Sequence, residues 1–262
     1  MLKHTTINGR KIAYWTSVDR PDPDKQNLLF VHGSGGDYST WSDQFEDLRD
    51  IGNIFALDLP GHGQSEGEGE DDVWAYAGWA GKAIGAMELH KPTVIGHSLG
   101  AAICLALAHR QASLLSGLVL VGGGAELPVN PSLLEGLKAD PVSFIALAGI
   151  VSLARGNRER LSAAVSGQLG RTRPDVLYKD FLSCSRFHLT AVFSPLSLPT
   201  LVVCGLEDKM TPPALSRRLR ELIPGSRLAL IEGAGHFVMR ERPREFNRIL
   251  GEFINSLEGA YV

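Results

Sequence analysis

At 262 residues the chain has room for a large buried core yet still fits one elaborated α/β domain, and its 44% hydrophobic and 21% charged residues are ordinary for a globular protein. A formal net charge of −3 with no Lys/Arg stripe gives nucleic acid no electrostatic hold. The opening Met1–Asn8 lacks the apolar stretch of a secretory signal, the longest nearly uncharged apolar run (Pro141 to Ala154) falls short of the roughly 20 residues a membrane span needs, and three widely spaced cysteines (Cys104, Cys184, Cys204) form no CxxC or Cys/His pattern, so the expectation is a cytoplasmic protein with buried free thiols, no metal and no membrane span.

In chain order, Thr5–Ile7 and Lys11–Trp15 flank Asn8-Gly9, the signature of a tight type I′ turn, and predict an opening β-hairpin. After the polar loop Arg20–Asp24 the pattern changes to short, continuous apolar runs: Leu28–Val31, Asn53–Leu57, Thr93–Ile95, Leu118–Val121, Thr200–Cys204 and Leu228–Ile231. Runs that are apolar on both faces suit strands of a parallel sheet covered on each side. They alternate with helical stretches at Asp72–Leu89, Leu99–Arg110, Pro213–Ile223 and Arg244–Leu257, which predicts a doubly wound α/β architecture. The alternation breaks once. Between Ala125 and Leu198 no strand pattern appears, and helix-start signals such as Asn130-Pro131-Ser132 and Asp140-Pro141 predict an insertion of three or four helices. The acidic run Glu66–Asp72 lacks the spacing of an EF-hand loop and reads as a solvated loop.

The chemistry concentrates where apolar runs end. Gly96-His97-Ser98-Leu99-Gly100 follows one strand and opens the small-residue helix Ala101–Ala106; a serine on so sharp a turn needs glycines to either side, and the helix N-terminus favours negative charge there. A serine hydroxyl needs a base, and His236, in Gly233-Ala234-Gly235-His236-Phe237 just past Leu228–Ile231, is the candidate. Asp208, in Gly205-Leu206-Glu207-Asp208 after Leu201–Cys204, is the candidate acid that orients it, with Glu207 as local competitor. Oxyanion donors are expected from the backbone N–H of Leu99 and from His32-Gly33-Ser34-Gly35-Gly36, where Ser34 N–H is preferred and Gly35 is the alternative. That loop has neither the Gly-Lys-Ser/Thr ending nor the G-x-G-x-x-G spacing of a nucleotide cradle, and His32, His62 and His97 lack metal-binding spacing.

The order of His32-Gly33, Asp58-Leu59-Pro60-Gly61-His62-Gly63-Gln64-Ser65, the Ser98 elbow, Asp208 and His236 resembles the α/β-hydrolase fold family, most of all small bacterial esterase-like serine hydrolases with a helical cap. The resemblance implies a mostly parallel eight-stranded sheet, with a core of residues 1–124 and 199–262 and a cap of residues 125–198 inserted after the sixth core strand. It also implies a cofactor-free acyl-enzyme mechanism and a structural role for Asp58, His62 and Ser65. Ala101 stands where many members carry another glycine, and an Asp nucleophile, as expected of a dehalogenase or epoxide hydrolase, is absent.

The expected activity is hydrolysis of a small to medium, largely apolar carboxylic ester, with thioester or C–C bond hydrolysis and a hydrolase-like ligand sensor as alternatives. The expected partner is therefore a small-molecule acyl substrate, bound by a monomer or homodimer. Gly33, Gly35, His97 and Phe237 are expected to border it. The run Phe144–Val151 predicts a helix that is apolar all round, so that Phe144, Leu147 and Ile150 form either an acyl-binding wall or simple core.

Overall fold

The computed structural model describes residues 1–189 and 196–258. Of the expected insertion, 190–195 lie outside the described residues, as do 259–262 of the expected core. Strands β1 (Leu2–Ile7) and β2 (Arg10–Thr16) form the opening hairpin, and Asn8 and Gly9 both take positive φ, 53° and 76°, as a type I′ turn demands. Then follow β3 (Gln26–Val31), β4 (Gly52–Leu57), β5 (Thr93–His97), β6 (Gly117–Val121), β7 (Thr200–Gly205) and β8 (Arg227–Ile231). They form an eight-stranded sheet in the order β1-β2-β4-β3-β5-β6-β7-β8, parallel from β4 to β8 and antiparallel where β2 meets β1 and β4. This is the α/β-hydrolase fold.

The continuous apolar runs are central because both faces are covered. Every residue of β4, β5, β6 and β7 is buried. Alternate residues of one strand go to opposite faces. Leu29, Val31, Leu118, Leu120 and Val202 pack under α2 (Val73–Ala86), α3 (Leu99–Gln111) and α8 (Pro213–Leu222). Leu28, Phe30, Val119, Val121 and Val203 pack under α1 (Ser42–Leu48) and α10 (Pro243–Glu258). Helix α10 shows why it docks: Phe246, Leu250, Phe253, Ile254 and Leu257 recur at helical spacing on one face. Helix starts are fixed by side chains, as at α2, where Asp72 accepts a hydrogen bond from Trp74 N–H.

Between β6 and β7, among the described residues, the chain forms four helices: α4 (Pro131–Ala139), α5 (Pro141–Val151), α6 (Arg158–Leu169) and α7 (Pro174–Arg186). Asn130 and Asp140 cap α4 and α5 and proline follows each cap, the start signals read in the sequence. No helix among the described residues is long and apolar enough to cross a membrane.

Strand β3 lies between β4 and β5, so the chain runs outward in opposite directions from its two edges. The loops leaving β3 and β5 therefore diverge at their C-terminal ends and leave a crevice, where open α/β sheets place their sites. His32–Gly36 and Ser98 sit on those two loops.

Candidate active site

Ser98 occupies the turn from β5 into α3 with φ 55° and ψ −116°, a conformation that costs a non-glycine residue roughly 1–3 kcal/mol. The glycines around it are required by contact: a side chain on Gly96 would collide with the Gly100 carbonyl, and one on Gly100 with the Val31 carbonyl. Ser98 N–H donates to Val121 O at 2.9 Å, and Ser98 O accepts from Ala101 and Ala102 N–H. The turn is thus tied to β6 on one side and to its own helix on the other.

His236 and Asp208 come together from the loops after β8 and β7. His236 Nδ1 lies 2.8 Å from Asp208 Oδ2, and both residues are nearly buried. Asp208 Oδ1 accepts two backbone N–H groups, from Met210 and Thr211, each at 2.9 Å. The Thr211 hydroxyl is 2.8 Å from Oδ2. Burial pushes the Asp208 carboxyl up, but the His236 charge and the hydrogen bonds from His236 and Thr211 outweigh it and hold the group below its ordinary value of 3.8. Glu207, the competitor, is exposed, and among the described residues its carboxylate reaches only Arg155 N–H, at 3.4 Å.

The histidine loop is fastened from several directions. His236 N–H donates to Ser152 O at 2.7 Å, and the buried Glu241 carboxylate accepts from Gly235 N–H, Ala154 N–H and Asn157 Nδ2. His97 lies beneath, its Nε2 2.9 Å from the His236 carbonyl. A carbonyl only accepts, so Nε2 of His97 carries the proton. Burial, with the neighbouring His236 ring, lowers the His97 pKa to about 3, so the ring is neutral and holds the loop in place.

The loop after β3 is set by His32. Leu59 N–H donates to His32 Nε2 at 3.1 Å, and His32 Nδ1 lies 2.8 Å from Gly33 O, a pairing that fixes the neutral Nδ1–H tautomer. Burial, with the adjacent His62 ring, lowers the His32 pKa to about 4. The Gly33 carbonyl also accepts from Gly36 N–H at 3.0 Å, and the opposite end of that trans peptide is Ser34 N–H. Among the described residues neither Ser34 N–H nor Leu99 N–H has a hydrogen-bond partner, whereas Gly35 N–H donates to Asp180 Oδ2 at 2.8 Å. Of the two candidates in this loop, Ser34 is the one with a donor left over.

Ser34, His97, Ser98, His236 and Phe237 border a cavity of about 230 Å³. Its apolar wall comes from Leu127, Val129 and Leu133 on the insertion side, from Phe181 of α7 and from Met210. None of the three expected wall residues lines the cavity. Leu147 and Ile150 are 57% and 42% exposed and do not reach the cavity; α5 turns Ala148 toward it instead, joined by Ser152 just past its end. Phe144, on the same stripe as Ala148, sits behind the wall, edge-on to Phe181 with ring centroids 5.3 Å apart. A helix apolar on every side has no period from which its facing can be read. Gly33 packs against His97 and the Ser98 Cβ, beside the cavity, and Gly35 is covered by Leu169 and Leu177 away from it. The sequence reading missed Phe181, Met210 and the buried thiol Cys184, which also borders the cavity.

It also missed a buried polar cluster under α7. Asp180 Oδ2 accepts from Gly35 N–H and lies 2.8 Å from His62 Nε2, while Oδ1 accepts from the Tyr76 hydroxyl at 2.7 Å. His62 Nδ1 faces the Pro60 carbonyl at 3.1 Å, so both ring nitrogens face acceptors and the ring is an imidazolium paired with the Asp180 carboxylate. Burial lowers the His62 pKa, but the Asp180 charge and hydrogen bond outweigh it and raise it above 6.5. A signal for Asp180 existed in the sequence: Val176, Leu177, Asp180, Ser183 and Cys184 form the buried stripe of α7, so a carboxylate stands in a position that the helical period marks as interior. His62→Ala should cost about 3–5 kcal/mol, the usual penalty for stranding one buried charge. Because the folded-state pKa is raised, the pair's contribution is complete below pH 6.5 and fades as pH rises through the elevated value. Urea unfolding at several pH values should therefore show the gap between wild type and His62→Ala narrowing toward high pH.

A family model described as the alpha/beta hydrolase family matches residues 28–249. A solved thermophilic esterase is 32% identical, with a TM-score of 0.85 over 98% of this chain and 99% of its own. An uncharacterized hydrolase of Bacillus subtilis, YugF, is 27% identical over 97% of each chain. An enol-lactonase from Burkholderia xenovorans LB400 superimposes with a TM-score of 0.89 over 97% of this chain and all of its own, at 20% identity, a likeness of fold alone.

Proposed function

Because the chain belongs to the alpha/beta hydrolase family, we propose that it is a serine hydrolase that cleaves small to medium, largely apolar carboxylic esters through an acyl-enzyme. The observation that carries the reading is one cavity bordered by a strained serine, by a histidine hydrogen-bonded at 2.8 Å to a buried aspartate, and by Ser34, whose N–H is unpaired among the described residues. Ser98 is the nucleophile. Asp208 accepts the Nδ1 proton of His236, which leaves the Nε2 lone pair to take the serine proton. The Ser34 and Leu99 N–H groups receive the oxyanion, and the dipole of α3 adds to the stabilisation. His236 then protonates the leaving alcohol, and a water activated by the same ring releases the acid. No cofactor enters any of these steps.

The insertion of residues 125–198, with four α-helices among its described residues, acts as the cap. It supplies the apolar wall, and the cavity of about 230 Å³ lies below the roughly 300–1,000 Å³ typical of drug-sized sites, which supports a short acyl group. A panel of p-nitrophenyl esters, matched thioesters and C–C substrates tests the reading. Ester turnover should lead, fastest on acetate and butyrate. Phe181→Ala should shift the octanoate-to-acetate ratio of kcat/KM upward by about tenfold, since added space is worth roughly 1–3 kcal/mol per methylene. Leu147→Asp, at an exposed position, should leave that ratio unchanged. A protein that cleaved thioesters well and esters poorly would move the substrate class, and an unshifted ratio in Phe181→Ala would remove Phe181 from the acyl wall.

A further inference from the structure

Gly35 directly follows the proposed oxyanion donor, and both of its backbone polar groups are held by the insertion. Its N–H donates to Asp180 Oδ2 at 2.8 Å, and its carbonyl accepts from the Thr172 hydroxyl at 3.0 Å. The four-residue turn Gly33–Gly36 is closed by Gly36 N–H to Gly33 O, with Gly35 at φ 64°. The donor, Ser34 N–H, belongs to the preceding Gly33–Ser34 peptide, whose carbonyl closes this turn, so pinning Gly35 pins the turn and with it that peptide. With Gly35 N–H on a carboxylate, rotation of the central Ser34–Gly35 peptide would turn the Ser34 carbonyl oxygen toward a buried anion, so the charge holds the turn in one form.

Asp180 is itself immobile. It is fully buried, its Oδ2 also meets His62 Nε2, and its Oδ1 holds the Tyr76 hydroxyl. Leu169 and Leu177, from α6 and α7, close over Gly35 so tightly that a Cβ there would lie 2.9 and 2.7 Å from them. The loop that carries the donor is therefore clamped between the sheet below and the insertion above.

We propose that Asp180, with Thr172 opposite it, is a positioning residue for the oxyanion hole: it holds Gly35 from the insertion and so fixes the turn whose Gly33–Ser34 peptide carries the donor, so that Ser34 N–H is aimed at the reacting carbonyl only while α6 and α7 are seated on the core. This rests on the roles given above to Ser98 and Ser34. The insertion then does more than line the substrate cavity. Its seating completes the catalytic centre, and hydrolysis is confined to the closed arrangement.

The test uses the full chain with p-nitrophenyl acetate and phenylboronic acid, whose tetrahedral serine adduct fills the oxyanion hole as the ester ground state does not. Asp180→Asn keeps the shape but removes the charge, so the bond from Gly35 N–H loses its charge-assisted strength and His62 loses its counter-ion. It should lower kcat by about 10–100-fold with KM within threefold, somewhat less than the roughly 10²–10³ lost when a donor is deleted outright. Affinity for the boronic acid should fall by the same factor. Thr172→Val, which also serves if Asp180→Asn does not fold, should move both quantities the same way by a smaller factor. Tyr76→Phe touches only the other carboxylate oxygen, so it should lower Tm while leaving kcat and boronate affinity within twofold. Asp180→Asn and Thr172→Val that both keep kcat and boronate affinity within twofold of wild type would overturn the positioning role alone, provided that wild type turns over the ester and is acylated at Ser98. A wild-type protein that does neither would overturn the serine-hydrolase reading and this proposal with it.

Discussion

Ser98→Ala should reduce ester turnover on the order of 10⁶-fold, the scale of loss when the nucleophile of a serine triad is removed. No neighbouring group replaces it: Ser34, the other hydroxyl on this side of the cavity, pairs with Cys184 at 3.8 Å, and burial pushes the Cys184 thiol up to about 12. The fold should be unaffected. Alanine is accommodated where serine was, the backbone bonds of the elbow are unchanged, and the strain at φ 55° is the same for both residues. Circular dichroism and Tm should match wild type. Substrate binding should also persist, because the apolar wall and the N–H donors remain, so the loss should fall on kcat rather than KM.

The second large effect is expected at Asp208. In Asp208→Asn the amide cannot choose its orientation freely: the Oδ1 position accepts two backbone N–H groups, so the amide oxygen must lie there. The NH₂ then faces His236 Nδ1, which becomes the acceptor, and the histidine proton moves to Nε2, the nitrogen that should take the proton from Ser98. This wrong tautomer costs about 10⁴ in kcat in a well-studied triad, and a loss of that order is expected here. Glu207→Gln, at an exposed carboxylate whose one bond among the described residues is a long contact to Arg155 N–H, should change kcat by less than about threefold. A large loss at Glu207 with a small one at Asp208 would transfer the acid role to Glu207.

What the sequence discloses about this molecule follows from which forces act locally. The strands of the central sheet are legible because burial on both faces leaves continuous runs such as Leu28–Val31, and the Asn8-Gly9 turn because few residues accept positive φ in succession. The surroundings of Ser98 are legible for the same reason, since collisions with the Gly100 and Val31 carbonyls exclude side chains at Gly96 and Gly100. The candidate acid and histidine loops follow from their positions at strand ends. The insertion is different. Helix α5 is apolar on all sides, so nothing in its pattern distinguishes the Ala148 face from the Leu147 face, and the wrong residues were expected at the cavity. Asp180 belongs to a third kind: its interior position was marked by the α7 stripe, but its partners His62, Tyr76 and Gly35 lie more than a hundred residues away in sequence, and only the folded chain brings them together.

The most direct measurement of the central claim is covalent labelling. Wild-type protein treated with a fluorophosphonate should gain the mass of a single adduct, peptide mapping should locate it on Ser98, and hydrolysis of p-nitrophenyl acetate should disappear in proportion to the labelled fraction. Ser98→Ala should take no label. An adduct on another residue, or undiminished ester hydrolysis by fully labelled or Ser98→Ala protein, would contradict the assignment of Ser98 as the nucleophile.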